Sequence, residues 1–507
     1  MPSCRTILPV KVEADPTGAM STAHAGILAY LELWCLIGMP QHIDRLLPSS
    51  GRQGWLSRQL LQALLLLNLL AGESVTDIDQ LEDDAGLCAL ARLSEVFGLN
   101  RQEKRDLHRR FRGGRTRTFP AATQLYTMLE QFHNADEEER RQEGVAFIPA
   151  PLSSLTALRT LNSLLIAWLQ ARHPRTTATL DVDATLAETA IQTAKFCYKG
   201  YRAYQPLNVF WAEQQVVLHS EFRDGNVPAG YQLRRVMEES LTHLPDGVDT
   251  VYLRSDTAAY DTEVLFWCER ASLHPAYGRI LFTISADITQ EFRKAVALVT
   301  EWTPEYRVVK GVKKPTGREY AEVVYVPSTH AVQSDIHEPF RYIAIREKLR
   351  DQLPLPGVGE QGTLPFPTAE MAGALYKLSA IVTNRREEDA AALIVWHYER
   401  CGKSEEAHAI MKEDFTGGRF PSQLFGANAA WWAIMILTMN LQMVMKRTTL
   451  GKEWLPKRMK AVRFGIISRA GRFLMHARQQ VLRVSQAFAR QLMAWRATLD
   501  TMRSAPA

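Results

Sequence analysis

Cysteine is scarce in this chain of 507 residues: Cys4, Cys35, Cys88, Cys197, Cys268 and Cys401 are scattered, with no C-x-x-C pair among them. That scatter excludes a disulfide-stapled scaffold and the paired spacing of a structural zinc site. Long apolar runs are also wanting. The stretch "LLQALLLLNLLA" from Leu60 is too short to cross a bilayer, and "AAWWAIMILTMNLQMVM" from Ala429 is broken by Thr438, Asn440 and Gln442. Both read as helices buried inside protein. No basic segment followed by an apolar stretch and a small-residue cleavage site opens the sequence, so no secretory signal is expected. A reducing cytoplasm fits these absences.

What is present is a chain with 46% hydrophobic side chains, enough for a large core divided into roughly two to four domains. The net charge of +5 is unevenly spread. Residues 446–507 hold 14 lysines and arginines against Glu453 and Asp500, a net +12, which leaves −7 for residues 1–445. A second cluster, "RQEKRDLHRRFRGGRTR" from Arg101, has eight basic residues and two acids. Two cationic clusters at opposite ends form the footprint of a polyanion partner, because neutralising phosphates releases condensed counterions. The charge-crowded "NADEEERRQEG" from Asn134 reads as a solvated helix or linker and is assigned no chemistry.

Helical periodicity dominates residues 20–172, from Leu28, Leu31 and Leu33 to "LTALRTLNSLLIAWLQARH". After Pro174 the pattern turns to strands: "TTATLDVDAT", "LNVFWAEQQVVLHSEFR", "DTVYLRSD" and "GRILFTISAD", with helices near "YQLRRVMEESLTHL" and "TEVLFWCERASLH". This order predicts an α/β core, a mixed sheet flanked by helices. More strands follow in "EYRVVKGV", "AEVVYVP" and "RYIAIREK", before a Pro/Gly-rich loop, then "LYKLSAIVTN" and a helical stretch from Glu387. The expected segments are a helical N-terminal region over 1–172, a core over 173–299, a β-rich insertion over 300–370, the second part of the core over 371–445, and a basic helical tail over 446–507.

Two strands end in aspartate. Asp181 and Asp183 alternate with Leu180 and Val182, so both acids share one face of the strand, and Asp256 closes "VYLRSD" in the same way. Capping of a following helix accounts for one such residue more readily than for two. Parallel neighbours would gather these ends where α/β folds place their sites. Phosphoryl transfer with two divalent ions about 4 Å apart needs a third carboxylate. In the stretch "WHYERCGKSEEAHAIMKEDF", Tyr398, Glu405 and Lys412 are spaced by sevens and fall near one face of a helix at about 3.6 residues per turn. Glu399, Glu406, Glu413 and Asp414 read as the solvated face beside it.

Taken together, "DVDAT", "YLRSDTAAYDTEVLFWCER" and "VTNRREEDAAALIVWHYERCGKSEEAHAIMKED" resemble the DDE transposases of bacterial insertion sequences. The group is the one with a tyrosine-arginine-glutamate-lysine signature (insertion sequence 4 superfamily, insertion sequence 1380-like). The resemblance spans roughly residues 175–445. It implies a ribonuclease H-like core with a strand-rich insertion and carries the catalytic, metal-holding triad onto Asp183, Asp256 and Glu405, with Asp181 a rival for the first place. It implies two Mg²⁺ ions, replaceable by Mn²⁺, and a phosphate grip from Tyr398 and Lys412. The signature arginine falls at Cys401, and the adjacent Arg400 is the candidate substitute.

The implied activity is cut-and-paste transposition: binding of double-stranded terminal repeats by a homodimer, cleavage there, and transfer into target DNA. The implied setting is the bacterial cytoplasm beside the nucleoid. Arg109, Arg110 and Arg112 are the candidates for end recognition. Lys310, Lys313 and Lys314 of the insertion are candidates for contact with the distorted end, and Trp302 for base stacking. Two rival functions remain open: a catalytically impaired, transposase-derived DNA-binding protein, motivated by Cys401, and a metal-dependent nuclease of the same fold.

Overall fold

The computed structural model describes residues 20–49, 51–111, 114–309, 311–330, 338–349, 366–371, 373–401, 403–476 and 479–504; of 308–309, 403–405, 475–476 and 504 it describes the backbone alone. The front end is helical, as the leucine periodicity predicts. It runs β1 (Met20–Thr22), α1 (Ile27–Ile37), α2 (Met39–Leu46), α3 (Ser57–Leu69), α4 (Ile78–Glu82), α5 (Ala85–Glu95), α6 (Arg101–Arg109) and α7 (Ala122–Glu130). Local chemistry sets the boundaries. Asn100 caps α6, accepting from the amides of Gln102 and Glu103, while Glu103 accepts from the Asn100 amide; this reciprocal box satisfies amides that would otherwise lack partners. Asp84 caps α5 through the Leu87 amide and accepts from the Thr22 hydroxyl and the Ala23 amide. One carboxylate thereby starts a helix and ties β1 to it. A Cβ on Gly86 would lie 2.9 Å from the carbonyl oxygens of Met20 and Ser21, so β1 can approach α5 this closely only over a glycine.

The central part begins with α8 (Ser153–Arg172). It continues through β2 (Thr177–Ala184), β3 (Ala187–Glu188), β4 (Ala203–Tyr204), β5 (Leu207–Trp211), β6 (Val216–Glu221), α9 (Leu233–Thr242), β7 (Thr250–Ser255), α10 (Thr262–Glu269), β8 (Leu281–Ser285) and α11 (Gln290–Ala297). The inserted strands follow: β9 (Thr303–Val309), β10 (Val312–Val323), β11 (Arg341–Lys348) and β12 (Thr368–Met371). The chain then returns through β13 (Ala374–Thr383), α12 (Ala390–Tyr398), α13 (Lys403–Ala409) and α14 (Phe425–Met445). The strands lie in the order β6-β5-β2-β7-β8-β13-β11-β10-β9, with β12 beside β13. β2, β7 and β8 are parallel, and every other neighbour pair is antiparallel. This is a ribonuclease H-like mixed sheet. The insertion, read from sequence as a separate β-rich segment, continues that same sheet from β13 outward.

The polar residues that interrupt the apolar run from Ala429 have a structural explanation. β6 is the outermost strand of the sheet, so main-chain groups on its outer side have no strand partner. Asn440 of α14 accepts from the Val217 amide at 2.9 Å and donates to its carbonyl at 2.8 Å, and Asn162 of α8 donates to the same carbonyl at 3.0 Å. Both asparagines are buried and satisfy main-chain groups that would each cost about 1–3 kcal/mol if left unpaired. The charge-crowded run from Asn134 departs from its solvated reading. Its Arg141 is buried and grips the buried Asp224 with two hydrogen bonds, Nε at 2.8 Å and Nη2 at 2.9 Å.

The tail holds α15 (Met459–Val462), β14 (Gly471–His476), β15 (Gln479–Val484) and α16 (Gln486–Ser504). It therefore contains a hairpin where sequence periodicity suggested helix throughout. β14 pairs with both β1 and β15, forming a three-stranded antiparallel sheet. The missed pairing is long-range: Met20 opposes Phe473. Arg463 donates to the carbonyls of Asn68 and Leu69 at the end of α3, where a cation complements the helix's unpaired carbonyls. By contacts, Met1–Met128 and Val444–Ala507 form one compact unit and Leu129–Met443 another. Among the described residues, no helix is long and apolar enough to cross a membrane.

Candidate active site at the carboxyl ends of two parallel strands

The parallel register between β2 and β7 aligns Val182 with Ser255, so Asp183 and Asp256 each stand one residue beyond the same rung. Neighbouring strands are about 4.8 Å apart, which brings the two carboxylates to one sheet edge. Asp256 also accepts from the Ala258 amide at 3.0 Å as the cap of a short 3₁₀ turn, so it has the capping role open to a strand-end aspartate. The rivalry between Asp181 and Asp183 resolves into two different environments. Asp181 is 3% exposed and bound through both oxygens by Arg254, at 2.6 and 2.9 Å. Asp183 is 24% exposed and faces the Arg400 guanidinium at 3.5 Å. Burial pushes the Asp181 carboxyl up, against the pull of Arg254 and Arg400. Both Asp181 oxygens already accept from a buried guanidinium, whereas Asp183 stands at the more open end of the strand.

The sequence reading did not single out Arg254, which ties this layer to the helix above it. Besides Asp181 it donates to the Trp396 carbonyl near the end of α12 at 2.7 Å. His397, on the same turn, lies between the hydroxyls of Thr283 and Ser285 at 2.9 and 3.1 Å. Burial, reinforced by the neighbouring Arg400 and Arg254, pushes this imidazole down to about 3, so it is neutral at physiological pH. Alternation along "LRSD" is the signal that places Arg254 on the face of Asp256; its partner, 73 residues earlier, carries no local signal. Asn208, opposite Asp183 across β5, is buried and accepts from Ser220 at 2.7 Å, while its Nδ2 has no hydrogen-bond partner.

The heptad-spaced signature does not lie on one continuous helix. α12 ends at Tyr398, α13 spans Lys403–Ala409, and the turn from Ile410 to Asp414 is π-helical, so a spacing of seven no longer fixes one face. Arg400 is buried and donates to the Val182 carbonyl at 3.4 Å beside its contact with Asp183. Lys412 donates to the Leu186 carbonyl at 3.3 Å. Both cations flanking α13 are thus anchored at the carboxyl end of β2. Glu405 belongs to α13 between them, with its side chain outside the described residues. Cys401, at the expected arginine position, is exposed. Tyr398 packs instead on the cluster of Ile343, Ile345, Ile381, Leu393 and Ile394, under the Arg318 guanidinium at 4.9 Å; burial pushes its phenol up. Of the presumed solvated acids, Glu399, Glu406 and Glu413 are exposed, but Asp414 is buried.

The expected DNA contacts divide similarly. Arg109 on α6 is exposed, its guanidinium 3.6 Å from Asp106. Arg110 instead donates to the carbonyls of Gly54, Gly51 and Gln53, holding a loop of its own unit. Lys313 and Lys314 are exposed on β10. Trp302 is covered by the Arg346 guanidinium at 4.1 Å and is partly buried. Arg112 and Lys310 lie outside the described residues.

Among the described residues, no three His, Cys, Asp or Glu side chains gather as a metal-binding group. The donors at the strand ends nevertheless suit a hard divalent cation: two carboxylates side by side, with positive charge already drawn to Asp183 as the Arg400 guanidinium. No curated protein matches the chain. The family described as transposase DDE domain group 1 matches residues 5–505, nearly the whole length. DDE transposases are phosphoryl-transfer enzymes that act on DNA and generally use divalent metal ions. With its ribonuclease H-like sheet and its paired strand-end aspartates, the chain belongs to the DDE transposase family, the enzymes of DNA transposition.

Proposed function

We propose that this protein is a cut-and-paste transposase of the insertion sequence 4 superfamily, in its 1380-like group. It binds the terminal inverted repeats of its own element as a homodimer, cleaves there and joins the freed ends to target DNA. The observation that carries this reading is the convergence on one strand end of Asp183, Asp256, Arg400 and Lys412. Asp183, Asp256 and Glu405 would hold two Mg²⁺ ions, or Mn²⁺ in their place; when bound, such ions activate the attacking oxygen and stabilise the leaving one. The chain's own groups orient the substrate. Arg254 and Asp181 fix the strand ends from beneath, and Asp256 keeps its carboxylate oriented through the Ala258 amide.

Arg400 takes the part of the signature arginine in this reading. Its guanidinium lies 3.5 Å from Asp183 and offers planar, bidentate donors to a phosphate at that edge. Lys412 supplies a point charge on the other side of α13. The test uses purified protein, Mg²⁺ and a precut DNA end. Strand-transfer products into plasmid DNA support the transposase reading; hydrolysis without joining identifies a nuclease; binding without either identifies a DNA-binding derivative. Arg400→Ala is expected to lower joining at least 10-fold, while Cys401→Ser leaves it within about 2-fold. The reverse pattern would return the phosphate grip to position 401.

A further inference from the structure

The connection between β3 and β4 carries the segment "KFCYKGYR", residues 195–202, which holds three cations, three aromatics and no acid. Interleaving of this kind suits nucleic acid, since aromatic faces pack on bases and sugars while cations meet phosphates. The segment folds as a tight hairpin. The Gly200 amide donates to the Cys197 carbonyl at 2.9 Å and the Cys197 amide to the Tyr201 carbonyl at 2.9 Å. Gly200 takes φ +82°, the left-handed conformation that favours glycine. The base of the hairpin is fixed: the Ala203 amide donates to the Lys195 carbonyl, the Thr189 amide to the Arg202 carbonyl, and Cys197 is buried. Arg202 pairs with Glu143 at 3.1 Å and lies over the Phe196 ring at 4.3 Å. Lys199 is therefore the cation held out at the tip, 5.7 Å from the Tyr198 ring.

Tyr198 is 78% exposed. A rigid turn that holds a large aromatic ring in water forgoes the roughly 2 kcal/mol that burying such a ring supplies, so the exposure asks for a partner outside the chain. The position indicates which partner. β2 leads from Asp183 into β3, and β4 leads back into β5, whose Asn208 opposes Asp183. The hairpin thus rises from the sheet edge that holds the two aspartates. Tyr198 is ten residues from Asn208 in the chain, a reach of at most about 36 Å, or roughly ten base pairs at 3.4 Å each.

We propose that this hairpin is a DNA-contact tip, with Tyr198 packing against the sugar and base edges of the duplex several base pairs from the cut and Lys199 meeting its phosphate. The assignment rests on the reading of Asp183 and Asp256 as the DNA-cleaving site. DNA fits this tip because its exposed charge, Lys199, is positive, an aromatic ring tolerates any sequence, and the tip continues the edge where a DNA strand must lie. It also gives the segment a role apart from chemistry: holding the duplex in register while its end is cut.

The experiment places p-azidophenylalanine at position 198, a near-isosteric change at an exposed site, and irradiates the protein with labelled end DNA. Crosslinks within about ten base pairs of the cut support the proposal, and their absence while the same protein still binds and cleaves the end overturns it. In parallel, Tyr198→Ala is expected to raise the Kd for end DNA roughly 5- to 50-fold with no change in melting temperature, and Tyr198→Phe to stay within about 2-fold. Lys199→Ala is expected to reduce the salt slope of binding by about one. Unchanged affinity of Tyr198→Ala together with an altered oligomeric state would overturn the DNA assignment in favour of a contact between copies. Failure of the wild-type protein to bind or cleave any end DNA would instead overturn the site reading beneath it, which Asp256→Asn tests separately because it should bind but not cleave.

Discussion

Replacing either of two aspartates two residues apart on β2 separates structure from chemistry. Asp181→Asn keeps the side chain's shape but removes the charge that both guanidinium bonds of Arg254 meet, at a place where the two side chains are 3% and 2% exposed. Leaving a buried cation without its partner costs about 3–5 kcal/mol. At about 2–4 °C per kcal/mol for a domain of this order, the melting temperature should fall on the order of 6–20 °C. Asp183→Asn removes a carboxylate that is 24% exposed, whose contact with Arg400 is 3.5 Å long. Its melting temperature should stay within about 2 °C of wild type while end cleavage falls at least 100-fold. Circular dichroism melts and a gel assay on labelled end DNA read both effects. The double change Asp181→Leu with Arg254→Met should recover most of the lost stability, because an apolar pair of similar volume replaces the ion pair. A stable, inactive Asp181→Asn beside an active Asp183→Asn would refute the assignment of the first ligand and the packing argument behind it.

Other outcomes follow from the same contacts. His397 is buried and neutral with its imidazole pushed down to about 3. Protonation therefore favours the unfolded chain, and its contribution to stability is complete above about pH 6.5 and lost as pH falls toward 3, at about 1.4 kcal/mol per pH unit. Urea melts between pH 7 and pH 4 should show this slope, with the buried His219, pushed down in the same direction, adding to it; His397→Gln should flatten it by about one proton. In the front end, Arg110→Ala should lower stability by about 1–2 kcal/mol because it releases the Gly51, Gln53 and Gly54 carbonyls. Arg109→Ala should leave the melt unchanged and reduce the salt slope of DNA binding by about one. Equal effects of the two on the melt would contradict the division between them.

The strand ends were legible because alternation is local: "TLDVDAT" and "VYLRSD" show their faces without knowledge of the rest of the chain. The difference in surroundings between Asp181 and Asp183 was not legible, since it depends on Arg254, 73 residues away. Periodicity also overstated continuity around Glu405. Sevenfold spacing suits an unbroken helix, but the chain turns after Tyr398 and winds as a π-helix from Ile410, and Arg400 in that turn lies 3.5 Å from Asp183. The tail hairpin escaped notice for a similar reason: the strand that completes its sheet, β1, lies some 450 residues earlier in the chain. Asn440 looks like an interruption of an apolar helix until β6, the outermost strand of its sheet, supplies the main-chain amide it serves.

The central claim concerns the two aspartates that share a strand edge. Its most direct measurement is cleavage of DNA carrying the element's own terminal repeats by wild-type protein with Mg²⁺, set beside Asp183→Asn, Asp256→Asn and Glu405→Gln. Nicking at the repeat boundary is expected from the wild type and at least 100-fold loss in each variant, with end binding and melting temperature retained. Cleavage that survives in Asp256→Asn, or variants that lose activity only by unfolding, would contradict it.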